Sequence, residues 1–86
     1  MTMLNQLGSG DVARVVAFEN EFNLRELFVS NGVLEGSIIR VISCFGLITF
    51  SVDSKIFSVS NGIAKKVKVI ELLEQNIWGG YNEEGS

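Results

Sequence analysis

Eighty-six residues make room for one small domain, and a hydrophobic content of 47% is too high for a chain that stays unfolded. The net charge of −3 is asymmetric: residues 1–72 carry all seven basic side chains and seven acids, so the excess comes from Glu74, Glu83 and Glu84. A neutral body with an acidic end offers no broad positive field to phosphate backbones, which argues against nucleic-acid binding, and the absence of histidine with a single cysteine removes the usual neutral-pH acid/base, most nucleophile triads and any zinc shell.

Residues 1–11 show no basic segment followed by an apolar run, so they do not read as a secretory signal. Residues 8–10, Gly-Ser-Gly, are not a phosphate loop, because no helix start with Lys-Ser/Thr follows. The first strand is predicted over residues 11–18, with Ala13, Val15 and Ala17 on one side and Val16 and Phe18 with Arg14 on the other. Asn23 then stands as a helix cap, with Glu26 completing a capping box and Phe22 and Leu27 at the staple positions. Gly32 after Asn31 is the left-handed residue that ends the helix after about two turns. Leu24, Leu27 and Phe28 form the stripe that seats this helix on the rest of the domain, or in part rims a groove.

Past Gly36 the pattern turns β-branched at Ile38, Ile39, Val41 and Ile42, a second strand. Cys44, in the apolar run that follows, reads as a buried structural thiol. It has no second cysteine with which to form an internal disulfide, in keeping with a reducing compartment. The longest uncharged stretch, between Arg40 and Asp53, is twelve residues, short of the about twenty a membrane helix needs, so the expected location is the cytoplasm. Residues 47–53 alternate as a half-buried strand and 55–60 as another, forming a hairpin whose turn lacks the Asn-Gly or Asp-Gly of the strongest hairpin signals. Residues 61–66 suggest a single helical turn, and 67–72 a fifth strand with Val67 and Val69 inward. Lys65, Lys66 and Lys68 read as a solvated edge that discourages unwanted pairing.

Five short strands, one helix and short connections predict a mainly β domain, a small five-stranded antiparallel barrel with one inserted short helix, over residues 1–72. Residues 73–86 are a C-terminal extension, expected to be partly disordered toward its acidic end. Within it, Ile77, Trp78 and Tyr81 are either folded back on the core or apolar anchors for a partner or a second copy of the chain. Light scattering with and without residues 73–86 separates these readings. The carboxylate pairs Glu19/Glu21 and Glu83/Glu84 lack the ligand density of a calcium loop. The residues therefore nominate no catalytic group, no metal ligand and no cofactor, and a small enzyme is disfavoured.

The order of the pieces resembles the FeoA domain, the ferrous iron transport protein A family. The match runs from Leu4 and Leu7 before Gly10 through residues 13–18, residues 23–41, the hairpin at 48–59 and residues 62–72. It is densest from Leu24 to Phe28, Asn31-Gly32-Val33, Gly36 and Ile38 to Val41. The chain departs from the family pattern at Asn31 and Val33, at Glu35 before the second glycine and at Ser54 in the hairpin turn, all turn or core positions. The resemblance implies an SH3-like barrel that serves as a cytosolic accessory of ferrous iron uptake, binding and regulating FeoB, the GTPase-coupled permease, and reaching the membrane only through it. Transition-metal binding is implied at family level alone. The helix and its neighbouring strand offer the expected partner surface: Leu24, Leu27, Phe28 and Val33, with Arg25 at the rim. The alternative is a stand-alone regulatory module related to the C-terminal domain of metal-dependent transcriptional repressors, although no helix-turn-helix accompanies it here.

Overall fold

The computed structural model describes residues 2–19 and 22–72. Six strands form one antiparallel sheet: β1 (Thr2–Met3), β2 (Val12–Phe18), β3 (Ile38–Ser43), β4 (Leu47–Val52), β5 (Lys55–Ser60) and β6 (Val67–Leu72). Helix α1 spans Phe22–Val29 and a single turn, α2, spans Asn61–Ala64. The spatial order is β1-β6-β2-β3-β4-β5.

The sheet differs from expectation in two ways. The described residues form six strands rather than five: β1, only two residues long, pairs Thr2 with Val69 and Met3 with Lys68. A two-residue strand has no alternation to read, and only the presence of β6 defines it. Nor is the barrel closed among the described residues, since β1 and β5 end the sheet as edges with no ladder between them. The concave side is filled by α1, which seats Phe28 among Phe18 of β2, Phe50 of β4 and Phe57 of β5, at ring-centroid distances of 5.0, 6.4 and 5.4 Å. Side-chain packing does here what a ladder does in a closed barrel.

The rest of the core follows period-2 alternation: Ala13 and Val15, Ile39 and Val41, Ile48, Phe50 and Val52, Val59, and Val67 and Val69 are all buried. Phe18 joins them against simple alternation. The β2–β6 register shifts between Val15 and Ala17, leaving Val16 as an extra residue, so Val15 faces Val69 and Phe18 faces Val67. The bulge re-phases the strand and turns Phe18 onto the core, where it packs against the buried cluster.

The start of α1 also differs from expectation. Asn23 lies inside the helix, one residue past its first position, so it is not the cap and the box with Glu26 does not form there. At α2, Ser60 does cap: its hydroxyl accepts from the Ile63 N–H at 3.3 Å. Cys44, expected to be buried, is exposed. The strand ends at Ser43 after a second register shift around Ile42, so the apolar run that suggested burial passes into the β3–β4 connection. The expectations for Ile77, Trp78 and Tyr81 lie outside the described residues.

The β4–β5 hairpin has a two-residue loop, with Val52 paired to Lys55. Asp53 and Ser54 both have positive φ, 48° and 70°, as a type I′ turn requires. A serine pays a steric penalty in that region that glycine escapes. Ser54→Gly is therefore expected to stabilise the domain by roughly 0.5–1 kcal/mol, read as a higher urea midpoint with unchanged slope.

Candidate functional site

Helix α1 ends in a hydrogen-bond pattern that decides which of its neighbours face solvent. The Gly32 N–H donates to the Val29 carbonyl at 3.0 Å and the Val33 N–H to the Phe28 carbonyl at 2.9 Å, the paired bonds of a Schellman motif. Gly32 supplies the required left-handed residue at φ 84°. The motif brings Val33 back against the helix, and both Val33 and Phe28 are fully buried. Ser30 and Asn31 side chains donate to the Leu27 carbonyl at 3.0 and 2.8 Å, completing the end of the helix.

The expected partner surface therefore divides. Phe28 and Val33 belong to the core and Leu24 is only 5% exposed, whereas Leu27 is 38% exposed and Arg25 is exposed. Leu24 and Leu27 nevertheless line a groove of about 200 Å³ together with Asn23, Ile63 and Lys66. Ile63 comes from α2 and Lys66 from the segment before β6, nearly forty residues downstream of the helix. These two contributors were absent from the sequence-based surface. A lone Ile in a single turn carries no periodic signal, and only the curl of the sheet brings α2 beside α1.

Arg25 is fixed rather than left waving at the rim. Its Nε and Nη2 both donate to the Glu35 carboxylate at 3.3 Å. The Arg25 hydrogen bond, helped by a backbone hydrogen bond, holds the Glu35 carboxyl below its ordinary value. Both side chains are well exposed, so the pair adds little to stability. What stabilisation it does provide is present above the ordinary carboxylate range and is lost as the pH falls through the lowered value. Its structural effect is to tie the helix to the loop that enters β3, where the Gly36 N–H donates to the Val15 carbonyl at 2.7 Å.

Among the described residues no three of His, Cys, Asp and Glu are grouped as a metal site would need. No helix of the described residues is long and apolar enough to cross a membrane. A second apolar exposure lies at the β3–β4 connection, where Phe45 is almost fully exposed between exposed Ile42 and Leu47.

A six-stranded antiparallel sheet curled around one helix, with a shallow apolar groove beside that helix, is the build of a small SH3-like domain. The chain belongs to the FeoA domain family: the family model matches residues 2–71. A crystal structure described as an iron uptake regulatory protein (FeoA) is similar at 34% identity and a TM-score of 0.77, covering 83% of this chain and 96% of that one. The solution structure of the FeoA protein from Chlorobium tepidum is similar at 19% identity and a TM-score of 0.73, covering 84% and 71%. A manganese-dependent transcriptional repressor shares the fold at 23% identity and a TM-score of 0.76, with 81% of this chain covering 40% of the repressor. No curated protein matches the chain. Membership of this family of small accessory domains supports a role in ferrous iron transport.

Proposed function

We propose that this domain is a cytosolic accessory of ferrous iron uptake, a binding module rather than an enzyme, that docks on the cytosolic part of a FeoB-type permease through the α1–α2 groove. The observation that carries the groove assignment is Leu27. It lies on the helix that organises the core yet is 38% exposed, and it lines an apolar concavity with Leu24 and Ile63. A shallow apolar groove with the polar Asn23 and the charged Lys66 in its lining suits an apolar anchor with a polar rim. The paired Arg25 and Glu35 present a preset polar edge at low cost in side-chain ordering.

Leu27→Glu places a charge in the groove without removing a core side chain. Binding to the cognate permease's cytosolic part, measured by titration in each nucleotide state, is expected to weaken at least about tenfold with the far-UV spectrum unchanged. Unchanged binding and unchanged iron uptake by this folded variant would remove the groove from the interface. A second reading, a regulatory module, draws on the fold shared with the repressor. It predicts no binding to the permease in any nucleotide state by wild-type protein.

A further inference from the structure

The outward face of the sheet carries an apolar patch with two arginines in it. Arg14 of β2 lies between Ile38 of β3 and Ile70 of β6 in one cross-strand row, and these isoleucines are 44% and 49% exposed. The next row runs Leu72, Val12, Arg40, Ser51, Ile56, ending on an isoleucine that is 69% exposed. Val12 in this row is buried although it is not part of the main core cluster. Neither Arg14 nor Arg40 has a carboxylate partner among the described residues; Arg40 donates only to the Gly10 carbonyl, at 3.4 Å. Exposed isoleucines grouped around arginines are a surface that soluble domains ordinarily cover.

The chain supplies a complementary segment at this place. It leaves the sheet at Leu72, in the second row itself, and the residues that follow hold Ile77, Trp78 and Tyr81 together with Glu74, Glu83 and Glu84, the whole net negative charge of the sequence. These residues lie beyond the family match, which ends at 71. Arg40 is two strands from Leu72, about 10 Å at the usual strand spacing. Five residues of extended chain span up to about 17 Å, so Ile77 and Trp78 reach every residue of both rows up to Arg40.

We propose that residues 73–86 fold back across this outward face, with Ile77, Trp78 and Tyr81 on the Ile38–Ile70 patch and the glutamates toward Arg14 and Arg40. The tether gives the segment a high effective concentration, so a weak apolar contact suffices to keep it in place. The occupant is the chain's own extension, and the contact lies on the sheet face opposite α1, so it stands independently of the permease reading.

Trp78 is the single tryptophan and reports this contact directly. In the full chain its emission is expected to be blue-shifted, and its acrylamide quenching reduced several-fold, relative to a peptide of residues 73–86. The double variant Ile38→Ser, Ile70→Ser and the charge reversal Arg14→Glu are each expected to move both signals back toward the peptide while the far-UV spectrum stays that of the folded sheet. Peptide-like emission in the folded wild-type chain overturns the proposal. So does a blue shift that survives both variants, which puts the segment elsewhere, or one that disappears on dilution, which assigns the contact to a second copy. Should a variant lose its fold, wild-type protein at rising salt tests the same contact: with the glutamates paired to arginines quenching increases with salt, and an unchanged signal overturns the charge pairing.

Discussion

Phe28→Ala is expected to destabilise the domain by about 3–5 kcal/mol, more than any other single truncation in this core. A chain of this size has roughly 4–13 kcal/mol of total stability at about 0.05–0.15 kcal/mol per residue, so the variant stands near or below its unfolding threshold. The reason lies in the geometry of the open sheet. Phe28 is in contact distance of three other rings, Phe18, Phe50 and Phe57, and Phe50 and Phe57 are themselves 5.5 Å apart at 75°. These rings come from three strands, so the side chain of one helical residue joins both halves of the sheet across the side where no ladder closes it. Truncation leaves a cavity that cannot collapse without pulling β2 toward β4 and β5. Urea unfolding followed by far-UV circular dichroism checks this, and a loss below about 1.5 kcal/mol would show that the helix is not the closing element.

Gly32→Val is the second large effect, a loss of about 2 kcal/mol or more, with Gly32→Asn costing clearly less. At φ 84° a β-branched residue meets its own carbonyl, whereas asparagine tolerates the left-handed region. The space around the position is not the limit, since the nearest atom to an added Cβ is the end of the flexible Lys55 side chain at 3.8 Å. The cost is therefore conformational, and it falls on the Val33 N–H to Phe28 carbonyl bond that turns Val33 into the core. Equal stability of the valine and asparagine variants in the same urea experiment would show that the backbone conformation is not what Gly32 contributes.

The two effects bear on function because core and surface interleave along one short stretch. Phe28 and Val33 cannot be contacted by a partner, and substitutions there report folding rather than binding. Leu27, next to Phe28 in sequence but exposed where Phe28 is buried, separates the two readouts. An uptake defect from Phe28→Ala says only that the domain must fold; one from folded Leu27→Glu points to the groove.

Much of this arrangement was legible in the residues. Alternation placed Ile48, Phe50 and Val52 inward and marked β4, β5 and β6 within a residue, because a strand with one buried face must repeat every two positions. Asn31-Gly32 marked the end of α1, since a left-handed residue is a local requirement that a local sequence can display. The cap at Asn23 failed because several polar residues near a helix start can serve and the choice depends on where the chain arrives from. The burial of Leu24, Phe28 and Val33 was readable as hydrophobicity but not as inaccessibility, for an apolar stripe looks the same whether it meets a core or a partner.

The amino-acid sequence by itself determined the mainly β class, the strand and helix order, the end of α1 and the lack of histidine chemistry, all of which rest on side-chain identity and short-range spacing. Tertiary structure alone decided the sixth strand, the open sheet, the bulge that turns Phe18 inward and the meeting of Leu24 and Leu27 with Ile63 and Lys66. Each of these depends on which strand lies beside which and in what register, a property of pairs distant along the chain that no local pattern contains.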